Sequence, residues 1–386
     1  MWKATRDQVL ATTITGSYPR PHWFTEVLRG RAFKDALGDS RFREQYLDAV
    51  ACILREQERA GLDIVTDGDS RFDLVVGGKS WFYYAIERLR GITGHVDTTA
   101  AGSWASIRPG HILYEVMEAY QPAVVGEKIG AGPLEYAAIF KVAQRLTDRP
   151  VKFGAISAQT LAKMLINRHY ASERELILDI ADVFNAEHRA VAAAGARVIQ
   201  IEEPRHHISG ADGSATDGDL QFFTDAINRE IRGVESEVWL HTCWGNPNQQ
   251  PLYWERPSYE RSLPYLLATD ADVITLECAS TGGRDLPLLG RYRTDKKFCI
   301  GVVSHTTAAV EPPEVVAGII RKALEHVPPE RLILSTDCGF GREGLARRIA
   351  FYKCVAINLG ANLVRRELKL PEVPIPGADP RFTFAG

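Results

Sequence analysis

The sequence lacks the features that mark several classes of protein. It contains no uninterrupted apolar run of about 20 residues, the length that a membrane-spanning helix needs. Its amino-terminal stretch MWKATRDQVLATT has no apolar segment of the signal-peptide type, so we expect a cytoplasmic protein. Basic residues form no cluster, and the formal net charge is only -3, which argues against a nucleic-acid partner. These absences favour a globular chain with neither a membrane nor a nucleic-acid partner.

Cysteine is also scarce, because 6 residues in 386 are too few for a disulfide scaffold. In a reducing compartment, Cys243 and Cys338 are better interpreted as metal ligands. Cys52, Cys299 and Cys354 lie within apolar strand or helix patterns and are predicted to be structural.

The chain does contain a regular alternation of strands and helices. Apolar residues make up 45% of it, enough for a large core. The alternation predicts a parallel sheet, and eight units predict an α/β fold, the closed (β/α)8 TIM barrel. An open doubly wound sheet would need a G-x-G-x-x-G loop after its first strand, which is absent. The predicted strands cover residues 10–15, 62–66, 151–156, 196–201, 237–242, 272–277, 297–303 and 331–336.

The alternation of strands and helices is interrupted between residues 72 and 145, in a segment rich in aromatic residues and glycine. We interpret the segment as an insertion, a β-hairpin followed by a helix, within a single barrel domain that spans residues 1–386. Such an insertion above the barrel could cover the active site, or it could be an elaboration without substrate contact.

Residues of the metal-ligand type stand at the ends of three predicted strands. His241 and Cys243 form an H-x-C pair, and alternation directs both side chains to the same side of the strand. Glu277 and Cys338 end two later strands, each before a glycine-rich loop. Each residue alone has a common structural explanation, but their repetition at one end of the sheet predicts a zinc site. Cys278 competes with Glu277 for this role, although alternation directs it the other way.

Other polar residues occupy the same end of the predicted barrel, where such barrels place their active sites. Gly16 and Ser17 follow the first strand and form either an anion cradle or an ordinary turn. Asp69, Glu202 and His305 follow three further strands.

Seven segments resemble, in the same order, the catalytic carboxy-terminal barrel of cobalamin-independent methionine synthase. The resemblance runs nearly end to end and is carried by TTITGSYPR, VTDGDSRFD, VIQIEEP, LHTCWGN, VITLE, GVVSHT and LSTDCGFGR. It implies a catalytic zinc held by His241, Cys243, Glu277 and Cys338.

The resemblance also implies roles for the polar residues around this metal. Ser17, Asp69 and Glu202 would hold the amino-acid part of homocysteine. His305 would be the catalytic histidine and would protonate the leaving group, directly or through Asp337.

The resemblance further implies an activity, the zinc-dependent transfer of a methyl group to a thiol. Homocysteine would give methionine, with a methylated folate as one candidate methyl donor, and a homo-oligomer is left open. The family pattern has a longer Glu at the position of Asp69, and Ser304 precedes the histidine where the family has an Asp-x-His pattern.

Two other functions stay open at this point. The first is a zinc-dependent thiol alkyltransferase or lyase of the epoxyalkane:coenzyme M transferase type. The sulfonate of coenzyme M would prefer arginines such as Arg20, Arg71 or Arg205, whereas an ammonium prefers Asp69 and Glu202. The second is a non-catalytic zinc- or thiol-binding barrel, which a carboxylate ligand at a strand end argues against.

Overall fold

A computed structural model describes residues 4–72, 80–96, 122–245, 257–341 and 345–382, with the backbone alone at 80–82 and 382. The strands are β1 Ala11–Thr12, β2 Arg90–His95, β3 Ala123–Gly130, β4 Lys152–Ile156, β5 Leu165–Asn167, β6 Val198–Glu202, β7 Glu237–Thr242, β8 Val273–Leu276, β9 Lys297–Val303 and β10 Leu332–Thr336. The helices are α1 Phe33–Gly38, α2 Ser40–Arg59, α3 Ser80–Ile86, α4 Tyr136–Gln144, α5 Ala158–Lys163, α6 Glu173–Ala193, α7 Pro204–Ala211, α8 Asp217–Ile231, α9 Leu263–Leu267, α10 Pro313–Leu324 and α11 Arg347–Glu367. Within these ranges, no helix is both long and apolar enough to cross a membrane.

Seven parallel strands form one curved sheet in the order β1-β10-β9-β8-β7-β6-β4. The segment around residues 63–65 fills the eighth position between β1 and β4. The amides of Asp63 and Ile64 donate to the carbonyl of Thr12 at 3.0 and 3.1 Å, and Val65 forms a parallel bridge with Val151. The ring of strands therefore closes, and the (β/α)8 barrel predicted from the sequence is confirmed.

The second barrel strand is shorter than the predicted 62–66, and the side chain of Asp63 explains why. Its Oδ2 accepts hydrogen bonds from the amide and the hydroxyl of Thr12 at 2.8 and 2.9 Å. These side-chain bonds replace a ladder bond, so only the bridge at Val65 follows the regular strand pattern.

The barrel is closed at the amino-terminal ends of its strands by the start of the chain. The carboxylate of Glu237 accepts bonds from the amides of Ala4 and Thr5, from the Thr5 hydroxyl and from Trp239 Nε1. Next to these hydrogen bonds, a small apolar cluster fills the inside of the barrel. Its members include Ala11, Ile64, Val198, Val273, Cys299 and Ile333. In the described part of the chain, the amino-terminal ends of the strands are thus covered, and the carboxyl ends are where barrels of this kind place their sites.

The described parts of residues 72–145 lie in a second, smaller sheet and its flanking helices. Strands β2 and β3 pair antiparallel, and β5 pairs parallel with β3. Residues 73–79 and 97–121, in this segment, lie outside the described residues. The prediction that this segment covers the active site stays a prediction.

Candidate active site

Three of the four predicted metal ligands lie together at the carboxyl ends of the barrel strands. His241 is on β7, Cys243 follows its last residue, and Cys338 lies two residues after the end of β10. All three are buried, and one ligand atom from each lies within 4.8 Å of the others. The sulfur atoms of Cys243 and Cys338 are 3.3 Å apart. The H-x-C spacing thus directs both side chains to one side, as alternation predicts.

The surroundings of Cys243 favour the protonated form of its thiol. The hydrogen bond from Cys338, burial, and the nearby charges of Cys338 and Glu277 raise the pKa of Cys243 well above its ordinary value. A bound dication would reverse this effect, since metal coordination deprotonates a thiol. Tetrahedral zinc with Zn–S bonds of about 2.3 Å separates two sulfurs by about 3.8 Å. The two sulfurs, now 3.3 Å apart, would fit such an ion if the distance between them increased by about 0.5 Å.

Two residues that the sequence did not reveal position this group of ligands. Thr275 on β8 bonds His241 Nδ1 through its hydroxyl at 2.8 Å, which fixes the ring orientation. His207 on α7 donates from Nε2 to the carbonyl of Cys243 at 2.6 Å. Thr275 shares a strand face with Glu277, so alternation could have identified it. The contact of His207 depends on how α7 docks, and no local motif encodes it.

Glu277 lies in a second buried group, with one ligand atom within 4.8 Å of ligand atoms of both His305 and Asp337. Its Oε2 accepts from the amide of Trp244 at 2.9 Å, and its Oε1 accepts from the hydroxyl of Ser280 at 2.6 Å. Because Trp244 directly follows the cysteine of the H-x-C pair, the two groups adjoin. The four predicted ligands therefore fall into neighbouring groups of three and one.

Asp337 is held by the loop that follows β8. Its two oxygens accept hydrogen bonds from the amides of Cys278, Ala279 and Ser280 at 2.7 to 2.8 Å. Burial, followed by the charge of Glu277, raises the pKa of Asp337 to about 6, against the lowering effect of nearby His305 and the amides. Asp337 thus fixes the position of the loop that carries Glu277.

Gly301 on β9 makes room for Asp337, and this contact gives a prediction. A Cβ at residue 301 would collide with Asp337 Oδ1 and would lie 2.6 Å from its Cα. We expect Gly301→Ala to lower turnover by about 10-fold or more, because a shift of about 1 Å in a site can cost about 100-fold. Steady-state kinetics on folded protein measures this.

Gly318→Ala is the matched control for Gly301→Ala. Gly318 lies in α10, and a Cβ there meets nothing within 4 Å. Its turnover should equal that of the unmodified protein. Equal turnover in both variants would show that the position of Asp337 does not matter.

The predicted amino-acid-binding residues also come together. A Cβ on Gly16 would lie 3.1 Å from Asp69 Oδ2 and 3.4 Å from Glu202 Oε1, so both carboxylates border the same space. Gly154 on β4 borders it as well, because a Cβ there would lie 3.9 Å from Asp69 Oδ1 and 3.5 Å from Glu202 Oε1. Ser17 follows directly, and its hydroxyl accepts from the amide of Gly341 at 3.1 Å. The structure places all three predicted residues at this end of the barrel.

Glu203, the second carboxylate of the EEP motif, has a different position. It precedes α7 as its N-cap and accepts from the amide of His206 at 2.7 Å. The hydroxyls of Ser157 and Thr160 also donate to it. Burial raises the pKa of Glu203. Its contacts are those of a helix cap, whereas Glu202 faces the space between the strands.

Comparisons with known proteins agree with this fold and site. A family model described as "Cobalamin-independent synthase, Catalytic domain" matches residues 10–353. A methionine synthase from Saccharolobus solfataricus is 30% identical over 362 residues, which are 94% of this chain and 96% of that relative. One from Saccharolobus islandicus is 31% identical over 363 residues, which are 94% of this chain and 96% of that relative. The structure of a B12-independent methionine synthase from Shewanella sp. W3-18-1, in complex with selenomethionine, aligns with a TM-score of 0.74 at 25% identity. That alignment covers 94% of this chain and 99% of the other.

Fold and site together define a (β/α)8-barrel enzyme with paired thiols at the carboxyl ends of its strands. The chain belongs to the cobalamin-independent methionine synthase family. It is an enzyme of the methionine synthase type, a methyltransferase, and the resemblance drawn from the sequence motifs is confirmed.

Proposed function

We propose that this enzyme transfers a methyl group to the thiol of homocysteine, with the help of a zinc ion held by its own thiols. The observation that carries the proposal is the meeting of two features at one end of the barrel. One is the buried group of His241, Cys243 and Cys338. The other is the pair of carboxylates from Asp69 and Glu202. A substrate with both a thiol and an ammonium group matches this combination.

The metal-binding residues suit zinc better than harder cations, because two of them are thiols. His241 would bind through Nε2, since Nδ1 is engaged with Thr275. Glu277, which contacts the amide of Trp244, would complete the set. Zinc bound there would keep the substrate thiol ionised at neutral pH.

Asp69 and Glu202 would bind the ammonium group of homocysteine. Two carboxylates that border one space attract a cation and accept charge-assisted hydrogen bonds from it. Ser17, at the adjoining loop, would contact the amino-acid part of the substrate.

The arginines that a sulfonate substrate would need are already engaged in hydrogen bonds within the protein. Arg71 donates to Asp69 and to the carbonyl of Gly154, at 3.1 and 2.6 Å. Arg20 donates to the carbonyl of Ser70 at 2.8 Å. Arg205 donates to Glu173 at 2.7 Å. These contacts favour an amino-acid thiol over coenzyme M, the substrate of the alternative thiol alkyltransferase.

His305 is our candidate for the residue that protonates the leaving group of the methyl donor. Its Nε2 donates to the carbonyl of Gly245 at 3.2 Å, so this nitrogen carries a proton. The carboxylates of Glu277 and Asp337 lie beside the ring. Two acidic neighbours suit a histidine that donates a proton. A methylated folate, whose leaving nitrogen requires a proton, is the donor that this arrangement suits.

Asp69→Asn and Glu202→Gln test the amino-acid site. Each variant removes one charge from the ammonium pocket, and a lost charge-assisted hydrogen bond costs roughly 1.5–3 kcal/mol. We therefore expect homocysteine affinity, measured by calorimetry, to fall about 10- to 100-fold, while zinc content stays constant. Glu325→Gln, at an exposed position, is the control.

Unchanged homocysteine affinity in both variants would refute the amino-acid site. Tight binding of coenzyme M in the same assay would then favour the alkyltransferase function.

A further inference from the structure

Arg71 is a buried cation whose bonds lie beside the proposed amino-acid site. Its side chain is 2% exposed. Nη1 donates to Asp69 Oδ1 at 3.1 Å and lies 3.7 Å from Asp67 Oδ2, and Nη2 donates to the carbonyl of Gly154 at 2.6 Å. One guanidinium thus joins the loop after the second barrel strand to β4. Both Asp69 and Gly154 border the space assigned to the substrate ammonium.

Four aromatic rings surround this guanidinium group. Its central carbon lies 4.5 Å from the ring centre of Phe72 and 5.0 Å from that of Phe153. The rings of Tyr84 and Tyr136 follow at 5.7 and 5.9 Å. Aromatic faces attract cations, and a planar guanidinium stacks on them better than an ammonium does. We call these four residues the aromatic box of Arg71.

Three of the four rings of the aromatic box come from the inserted segment of residues 72–145, and Phe72 is the first residue of that segment. Tyr84 lies on α3 and Tyr136 on α4. Tyr84 is itself anchored, because its hydroxyl donates to the carbonyl of Leu134 at 2.6 Å. The rings of Tyr84 and Tyr136 therefore reach the carboxylate of Asp69 through a single intermediate side chain, that of Arg71.

Asp69 depends on its neighbours for its position. Its φ of 53° lies in the left-handed region, which is uncommon for residues other than glycine. Its amide donates to Asp67 Oδ1 at 2.9 Å, and Arg71 bonds its carboxylate. The backbone conformation and the direction of the carboxylate are thus both set by this loop.

We propose that Arg71 is a positioning residue for substrate binding, which holds the Asp69 carboxylate at the amino-acid site and connects it to the inserted segment. The inference rests on the proposed role of Asp69 in binding the substrate ammonium. It assigns the insertion a function in substrate affinity that requires no contact with the substrate. Arg71 acts on substrate binding and has no part in proton transfer. Its loss should therefore raise KM and leave kcat unchanged.

Arg71→Met tests this role, because methionine keeps apolar contact with the box and removes the charge and both hydrogen bonds. We expect KM for homocysteine to rise about 10- to 100-fold, the cost of a lost charge-assisted bond, with kcat within about twofold of the original. Zinc content should not change. Arg71→Lys keeps the charge but not the planar guanidinium. Its KM should lie between that of the unmodified protein and that of Arg71→Met.

Tyr84→Leu tests the connection to the inserted segment. It removes one ring of the box and leaves every residue that borders the substrate space in place. KM should rise by about threefold or more, as expected for the loss of one cation–π contact away from solvent. A KM equal to that of the unmodified protein would overturn the role assigned to the insertion.

Arg331→Met is the matched control. Arg331 also faces an aromatic ring, that of Phe298 at 5.8 Å, and also donates to a backbone carbonyl, that of Lys296 at 3.0 Å. It precedes β10 and so lies at the opposite end of the barrel. Its loss should leave KM unchanged. A purely structural role for Arg71 would lower the folded fraction, and hence the apparent kcat, without raising KM.

Combining Arg71→Met with Asp69→Asn separates failure of this inference from failure of the proposed function. If Asp69→Asn alone leaves homocysteine affinity unchanged, the proposed amino-acid site is wrong. If Asp69→Asn weakens binding and Arg71→Met behaves like Arg331→Met, only the role of Arg71 is wrong. If the inference holds, the double variant binds no more weakly than Asp69→Asn alone. Should Arg71→Met fail to fold, Arg71→Lys decides, since an unchanged KM there overturns the inference.

Discussion

Replacing Cys243 or Cys338 with serine is expected to abolish tight zinc binding and, with it, activity. A serine hydroxyl is a poor ligand at neutral pH, whereas a thiol becomes an anionic ligand when it binds zinc. Elemental analysis of the purified enzyme should give about one zinc per chain, and each variant should retain less than about a tenth of that. The physical basis is the 3.3 Å approach of the two sulfurs beside His241.

Cys278→Ser is the matched control for these two substitutions. Cys278 is buried and follows Glu277, but it belongs to neither group of ligand-type side chains found among the described residues. Its zinc content should stay at about one per chain. Full zinc retention in the serine variants at positions 243 and 338 would contradict the metal site, as would the absence of zinc from the unmodified enzyme.

Replacing His305 with asparagine should act on turnover and spare metal binding. If His305 protonates the leaving group, single-turnover methyl transfer should slow by roughly 10²- to 10⁴-fold. Zinc affinity and homocysteine affinity should stay within about threefold, since His305 lies outside the group formed by His241, Cys243 and Cys338. Rapid-quench kinetics beside a metal titration measures both quantities.

Thr275→Val gives the opposite pattern and serves as the comparison. Thr275 orients His241 through one hydrogen bond, so its loss should weaken zinc affinity by about 10- to 100-fold. At saturating zinc its single-turnover rate should recover. A His305→Asn enzyme that loses zinc affinity in the same way would make His305 a metal-positioning residue. Normal values in both assays would exclude either role for it.

The positions at strand ends were predictable because a parallel barrel brings all carboxyl ends to one face. This rule correctly brought Cys338 to His241 and Cys243, although about 100 residues separate them in sequence. It could not decide how far each side chain reaches across the face. Glu277 stays a predicted fourth ligand, and its bonds to Trp244 and Ser280 place it in the neighbouring group.

Contacts made through docking helices and inserted segments were beyond the sequence. His207 reaches the carbonyl of Cys243 only because α7 packs against β7. Arg71 appeared in the sequence as a candidate for binding a sulfonate, but the structure buries it among aromatic rings from distant segments. Such contacts depend on tertiary packing, which neither periodicity nor motif spacing encodes. The second barrel strand is shorter in the structure than the predicted 62–66 for a local reason, which is the hydrogen bonding of the Asp63 side chain.

The central claim is that the paired thiols hold a zinc ion that activates an amino-acid thiol, and proton release measures this most directly. Zinc-loaded enzyme in weak buffer near pH 7 would be mixed with homocysteine, coenzyme M or glutathione, and the protons released would be counted with an indicator dye. We predict about one proton per chain with homocysteine, because its thiol must ionise on binding, and far less with the other two thiols. Metal-free enzyme and Cys338→Ser should release none. Equal release with and without zinc, or no release with homocysteine, would contradict the account.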